Sequence, residues 1–475
     1  MRPVSETAIQ GRLAFDNPWW REGRDYRPEF TRRRSYFEPF FKLAAERSVR
    51  RAVILMGPRR VGKTVMLQQM VAELIAGGAD PKTILYASLD TPVYLDLRLE
   101  DFVRLFREVH GHPVRRRLFV LFDEVQYFAG WEIHLKSLVD SYPSIRFVAS
   151  GSAAAALRMK TRESGSGRFT DFTLPPLSFA EYLRFIGREE ELIRKADPGE
   201  IVTFATTDIE ALNAEFVNYL NYGGYPESVL IPEVRRDAPR YIGGDIIDKV
   251  MLRDLPTLYG IADVRELYRL FTTLAHNTSS EVSVQGLAQA SGVAKNTLRK
   301  YLEYLDAAFL IIRLTRIADT GRRFRRELSF KVHLTNPSLY AALFGSVTAD
   351  HEAMGRLAET ATVAQWQNPH GYMAPIRYAR WKHGEVDIVY NHVREQSPLW
   401  ATEVKWSDRA FHRPNEELAG LVVFCKANPS LLRPPFVTTR TQAGDQTVDG
   451  IVVRYVPTSL HCYAIGRTLV FEGPR

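Results

Sequence analysis

The chain has 475 residues, 45% hydrophobic and 25% charged; it is too long for one ordinary core and too apolar for a disordered polyelectrolyte, so about three folded units are expected. Its 63 basic and 55 acidic residues leave a formal charge of +8, which leans mildly towards a polyanionic partner such as nucleic acid. Cys425 and Cys462 stand far apart in no ligand spacing, which argues against a disulfide scaffold and a zinc site.

The first twenty residues lack the apolar core of a signal peptide, and no apolar run approaches the length of a bilayer span. A cytoplasmic protein with no membrane partner is the expectation. Aromatic and arginine-rich segments follow, at Asn17, Trp19 and Trp20 and again at Arg32, Arg33 and Arg34. The arginine run reads as a solvated basic face, with phosphate contact as the alternative. After it, Phe37, Phe40, Phe41 and Ala44 recur at helical spacing and would pack on the core that comes next.

Residues 51–64, RAVILMGPRRVGKT, then carry the strongest signal in the chain. A β-branched apolar run reads as a buried strand and enters Gly57-x-x-x-x-Gly62-Lys63-Thr64, the P-loop order. Gly57 and Gly62 would allow positive φ and close backbone approach, so that successive N–H groups of the loop formed by Gly57, Pro58, Arg59, Arg60, Val61 and Gly62 wrap the phosphates. Lys63 would reach the β- and γ-phosphates and the Thr64 hydroxyl would ligate Mg²⁺. Met66, Leu67, Met70, Val71, Leu74 and Ile75 give the next segment an apolar helical face, and its N-terminus would turn its positive end towards the phosphates.

A second strand (TILYASL, 83–89) and an amphipathic helix (100–110) lead to LFVLF at 118–122. That continuous apolar run reads as a parallel strand delivering Asp123-Glu124 at its carboxyl edge, where ligands of open α/β sheets collect. Asp123 would hold the Mg²⁺ shell beside Thr64, and Glu124 would act as general base on the attacking water. After the strand IRFVA, Ser150 or Ser152 is a candidate γ-phosphate sensor; a helix cap is the equal alternative. Arg168 follows a Ser/Gly stretch and reads either as a surface arginine or as one acting on a neighbour's phosphate.

GPRRVGKT, LFVLFDEVQ, VASGSAA, the Gly167-Arg168 pair, LPPLSFAEYL and Gly223-Gly224-Tyr225-Pro226-Glu227 together resemble the AAA-type ATPases widespread in bacteria and archaea, whose ATPase module precedes a C-terminal domain of unknown function. The resemblance implies ATP as the nucleotide, Arg168 as a finger-like arginine supplied between subunits of a homo-oligomer, and a connection to the second half beginning near residue 174.

Residues 181–270 read as a mainly helical lid or linker without a catalytic signal. At 281–314, Ser283 caps a short helix, Ser291-Gly292 turns, and Leu298, Tyr301, Leu302 and Leu305 mark a second helix before a strand at 309–314. This is a winged helix-turn-helix pattern with Lys295, Asn296, Thr297, Arg299 and Lys300 at the start of the recognition helix; it would meet double-stranded DNA or serve as a protein contact. Arg322, Arg323, Arg325 and Arg326 would add phosphate affinity.

In the last third, Glu359, Asp387 and Glu403-x-Lys405 stand in an order that resembles restriction-endonuclease-like folds. Asp387 and Glu403 could share a Mg²⁺, with Lys405 orienting water or stabilising charge; an amphipathic hairpin with outward charges, or an inactive nuclease fold, is the alternative. A further core strand is expected at 422–424.

The fold class expected is therefore α/β. A P-loop parallel-sheet ATPase domain with an N-terminal extension would span 1–180, a helical lid or linker 181–270, a winged helix 271–320, and a nuclease-like α/β domain 321–475. The expected activity is ATP hydrolysis coupled to a DNA-binding or nuclease-like half; the alternative is a nucleotide-dependent switch acting on a protein partner, with that half as an inactive scaffold.

Overall fold

A computed structural model describes residues 5–151, 167–196, 203–321, 329–367, 376–392 and 397–471. Ser152 and the arginines at 322, 323, 325 and 326 lie outside the described residues. The chain divides into two compact units, the first ending at Pro175 and the second beginning at Pro176.

The first unit is built on five parallel strands, β1 (Ala52–Met56), β2 (Ile84–Ser88), β3 (Leu118–Asp123), β4 (Ile145–Gly151) and β5 (Phe169–Thr173), in the order β2-β3-β4-β1-β5. Every residue of β1, β3 and β4 is buried, as both faces of a parallel sheet are covered. The helix Lys63–Ala76 buries Met66, Leu67, Met70, Val71, Leu74 and Ile75, as their spacing requires. Phe37, Phe40 and Ala44 are buried on the helix Phe37–Ala45, with the Phe40 ring edge-on to Phe172.

The outer strand β2 is closed by the N-terminal segment. The Asn17 side-chain amide bonds both backbone groups of Tyr86, at 2.8 and 2.7 Å, and the Trp19 and Trp20 indoles both donate to the Ile84 carbonyl. Such cover removes the unpaired groups that a sheet edge otherwise presents.

The second unit begins with helices, among them Ile209–Tyr222 and Val264–His276, and a two-stranded ribbon, β6 (Ile193–Lys195) with β7 (Phe204–Thr206). Its main sheet is mixed and nine-stranded. It comprises β8 (Glu281–Val282), β9 (Ile311–Ile317), β10 (Phe330–Leu334), β11 (Ile376–Trp381), β12 (Gly384–Asn391), β13 (Pro398–Glu403), β14 (Phe436–Thr439), β15 (Gly444–Val448) and β16 (Ile451–Pro457), in the order β15-β16-β14-β13-β12-β11-β9-β10-β8. The helices Val284–Ser291 and Lys295–Ala307 fall between β8 and β9, and a parallel pairing of β9 with β11 joins this piece to the remaining strands.

One expected strand is a helix. Residues 422–424 lie in Ala419–Ala427, where Leu421, Val422, Phe424 and Cys425 are buried while Val423 is 48% exposed. That is the i, i+1, i+3, i+4 stripe of a helix; a short apolar run does not distinguish the two periods by itself.

Candidate functional site

At the carboxyl edge of β1 the chain turns through residues 57–62 and enters the helix at Lys63, with Gly62 in left-handed geometry at φ 93°. Gly57 is a glycine for a different reason. Its φ of 158° is near extended, but a Cβ there would stand 2.2 Å from the Leu174 carbonyl oxygen just after β5. Of the four residues between the glycines, Pro58 and Val61 turn inwards, Arg60 is exposed with φ 64°, and Arg59 is half-buried.

Four elements converge on Asp123 at the end of β3. Thr64 Oγ1, at the first turn of the helix, donates to Asp123 Oδ2 at 2.7 Å, and Tyr86 OH, from β2, donates to the same oxygen at 2.8 Å. Ser150 Oγ, from β4, donates to Asp123 Oδ1, which also accepts the Glu124 N–H at 3.2 Å. Burial and the Asp123 charge hold the Tyr86 hydroxyl well above its ordinary range. Ser150 thus belongs to a strand and to the acidic site.

Glu124 takes the left-handed conformation, φ 56° and ψ 43°, at the sharp turn out of β3. Burial pushes its carboxyl up; Lys63 opposes the shift and Asp123 adds to it. Gln126 donates to this carboxylate, and Arg59 donates to Tyr127 OH at 2.7 Å on the same turn. Lys63 is 4% exposed, and its Nζ donates to the carbonyls of Gly57 at 3.1 Å and Pro58 at 2.8 Å.

Lys63, Thr64, Asp123 and Glu124 are therefore brought together; Arg168 is not among them. Its carbonyl accepts the Ala52 N–H at the start of β1 and its guanidinium pairs with Asp140. The five residues of β1 separate that edge from the P-loop, about 16 Å at ~3.3 Å per residue.

Arg34, expected on a solvated basic face, is placed otherwise by the structure. It is buried rather than solvated, donating to the Val61 carbonyl at 2.7 Å and the Pro175 carbonyl at 2.9 Å. Tyr86 was missed, since a lone tyrosine in an apolar strand carries no signal of its own.

In the second unit, Glu359, Asp387, Glu403 and Lys405 gather around a residue that the sequence reading passed over. Lys331 Nζ, its side chain 3% exposed, lies 2.9 Å from Glu359 Oε1 and 3.1 Å from Asp387 Oδ1, and it also pairs with Glu385. Asp387 Oδ2 accepts the Val404 N–H at 3.0 Å, and Lys405 Nζ donates to Glu403 Oε1 at 2.8 Å. Glu403 Oε2 is buried without a hydrogen-bond partner. Burial and the Asp387 charge raise the carboxyls of Glu359 to about 8 and Glu403 to about 7, against the opposing pull of the lysines. The same lysines hold Asp387 low against its burial. Among the described residues, no group of three or more His, Cys, Asp and Glu side chains is placed to hold a metal ion.

On the helix Lys295–Ala307, Lys295, Asn296, Arg299 and Lys300 are exposed and Thr297 is half-buried, while Leu298, Tyr301, Leu302 and Leu305 form its buried face. Among the described residues, no helix is long and apolar enough to cross a membrane.

The family-level comparisons agree with this geometry. Residues 49–183 match the model of the AAA domain, and residues 213–350 match that of a domain of unknown function. An uncharacterized protein of Haemophilus influenzae is 25% identical over 279 residues, 57% of this chain and 64% of that one. An uncharacterized protein of Methanocaldococcus jannaschii is 23% identical over 298 residues, 60% and 61% of the respective chains. The chain thus spans less than two thirds of the length of these relatives. Among solved structures, the replication initiator DnaA bound to AMPPCP and single-stranded DNA is similar over 57% of this chain and 86% of that one, at 13% identity and a TM-score of 0.27. AMPPCP-bound DnaA from Aquifex aeolicus scores 0.25 at 13% identity, over 58% and 89% of the two chains. Scores this low carry no argument; the match of residues 49–183 to the AAA-domain model and the parallel sheet with its P-loop support an AAA-type fold for this part of the chain.

Proposed function

We propose that the protein hydrolyses ATP at the Lys63, Thr64, Asp123 and Glu124 site, and that nucleotide state is coupled to a DNA-engaging C-terminal half. The 2.7 Å contact between the Thr64 hydroxyl and the Asp123 carboxylate carries the reading, because it joins the P-loop to the acidic strand end. Two oxygen donors meeting there fit a magnesium ion, which when bound would neutralise charge on the phosphate oxygens. Lys63 would leave the loop carbonyls for the β- and γ-phosphates, and the backbone N–H groups of residues 59–64 would cradle them. Glu124, raised by burial, would accept the proton of the attacking water. Arg168, distant from its own P-loop, would serve a neighbouring subunit in a homo-oligomer.

The DNA-engaging part of the proposal is supported by the order helix Val264–His276, β8, two helices, β9 and β10, with β10 antiparallel to both β9 and β8. A winged helix has this order, and its second helix of the pair presents Lys295, Asn296, Arg299 and Lys300 to solvent. The chain order Glu359, Asp387, Glu403-x-Lys405 within a mixed sheet supports a restriction-endonuclease-like fold for the last third.

Lys331 favours a second reading for that fold. Its ammonium already answers Asp387 and Glu359, and the remaining Asp387 oxygen takes a backbone N–H. The donor set as arranged fits a lysine better than Mg²⁺; the nuclease-like half would then be a scaffold and the switch would act on a protein partner.

The test is ATP turnover by the full chain in Mg²⁺, with and without double-stranded DNA, beside Lys63→Ala and Lys405→Ala. Turnover that rises with DNA and vanishes in Lys63→Ala supports the first reading, while cuts that vanish in Lys405→Ala would establish a nuclease. Turnover indifferent to DNA, with the DNA intact, supports the protein-partner reading. Turnover that persists in Lys63→Ala sinks the ATPase assignment.

A further inference from the structure

Hydrolysis places more demands on this site than Lys63 and Glu124 meet alone. As water oxygen bonds to the γ-phosphorus, the bond to the β,γ-bridging oxygen breaks. That oxygen leaves on ADP with the electron pair, and the water proton passes to Glu124. Negative charge spreads over the γ-phosphoryl oxygens in the transition state, and a guanidinium placed beside them is the usual complement.

We propose that Arg59 supplies that guanidinium in cis, within the same chain as the P-loop; the inference rests on the ATPase reading above. Its position in the loop selects it. Of the residues between Gly57 and Gly62, Pro58 and Val61 are buried and Arg60 faces solvent on a left-handed backbone. Arg59 crosses from the phosphate-binding loop to the turn that carries Glu124, where it donates to Tyr127 OH at 2.7 Å. Tyr127 in turn donates its N–H to the Glu124 carbonyl at 3.1 Å, so the tyrosine that holds Arg59 is tied to the general base. The γ-phosphate and the attacking water belong between the loop and that turn. The chain's own Arg168 lies at the opposite edge of the sheet, so within one chain this position falls to Arg59.

Arg59 is half-buried at a loop surface, so its truncation leaves the core intact. The test compares steady-state ATP turnover, affinity for a fluorescent ATP analogue and melting temperature for wild type, Arg59→Ala, Arg59→Lys and Tyr127→Phe. Arg59→Ala should lose at least ~100-fold in kcat, with KM and analogue affinity within about threefold of wild type and an unchanged melt. Arg59→Lys should recover little, since a point charge does not reproduce the planar fork. Tyr127→Phe should fall between wild type and Arg59→Ala. Mixing Arg59→Ala with Lys63→Ala protein separates cis from trans: no recovery of turnover agrees with an arginine acting within its own chain, and recovery overturns the inference. Wild-type kcat in Arg59→Ala, with turnover still dependent on Lys63, also overturns it while leaving the ATPase reading intact. If wild type does not hydrolyse ATP, both fall together.

Discussion

Lys331 Nζ donates to Asp387 Oδ1 at 3.1 Å across 56 residues of sequence, and it does so almost out of contact with water. A buried ammonium is tolerated only with partners. Here Glu359 and Glu385 complete the set; Glu385 also pairs with Arg380, so removing the lysine would leave the buried Glu359 and Asp387 without their ammonium. Lys331→Met should therefore destabilise the second unit by about 3–5 kcal/mol, read from the denaturant midpoint of a C-terminal tryptophan signal such as Trp400. A loss below about 1 kcal/mol would show that the carboxylates relax to water or protonate cheaply.

The same cluster sets a pH dependence opposite to ordinary acid denaturation. The Glu359 and Glu403 carboxyls lie at about 8 and about 7 in the folded protein, above the ordinary 4.5. Across that interval the folded state binds more protons than the unfolded one, so stability falls as pH rises from about 4.5 through 8. Asp387 is held low and acts the other way, contributing stability that is lost only as pH drops below its ordinary range. Buried His333 and His461, held neutral by burial, act in the opposite sense only up to about pH 6.5, so the melting temperature of the second unit should decrease between about pH 7 and 8.5, and Glu403→Gln should flatten the slope. A rising melt over that range would contradict the burial-driven shifts.

The sequence made the nucleotide site legible because its parts are local: the strand, glycines, lysine and threonine of residues 52–64 are contiguous, and Asp123 ends an unbroken apolar run. The partners of Asp123 were harder to read, since Tyr86 and Ser150 become neighbours only once strand order is known. Lys331 did leave a trace. Strand β10 reads FKVHL, and its two polar residues share one face of the pleat. An alternating polar pair in so buried a strand announces a polar cluster inside, but only the fold says that Glu359 and Asp387 complete it. The helix at 419–427 was misread for the opposite reason: nine residues of nearly uniform apolarity leave the period undetermined until Val423 is seen to face water.

Gly57 tests whether the P-loop glycines serve phosphate alone. A Cβ at this position would meet the Leu174 carbonyl oxygen at 2.2 Å, a backbone atom that cannot swing aside. Gly57→Ala should cost about 1–3 kcal/mol of stability in the first unit, as overpacking does, and should weaken nucleotide binding in parallel, because Lys63 bonds the Gly57 carbonyl. The check is a melt of the variant without nucleotide. If only nucleotide affinity changes and the melt does not, the glycine answers to phosphate and the Leu174 contact is relieved at no cost.

Arg34 makes the most specific prediction about the loop's geometry. One buried guanidinium holds the Val61 carbonyl, inside the P-loop, and the Pro175 carbonyl, the last residue of the first unit. Hydrogen bonds to charged groups are worth about 1.5–3 kcal/mol, and Arg34→Met would leave both carbonyls seeking other donors. Stability of the first unit should drop by about that amount. The tether at Val61 stands one residue before Gly62, whose φ of 93° starts the phosphate-facing helix, so nucleotide affinity should fall as well. Arg34→Lys should restore one carbonyl contact at most, since its single ammonium cannot span the two acceptors that the planar fork reaches. Calorimetric melts and analogue binding on the two variants would decide. Equal loss of stability in both, with affinity untouched, would make Arg34 a buried strut with no hold on the shape of the P-loop.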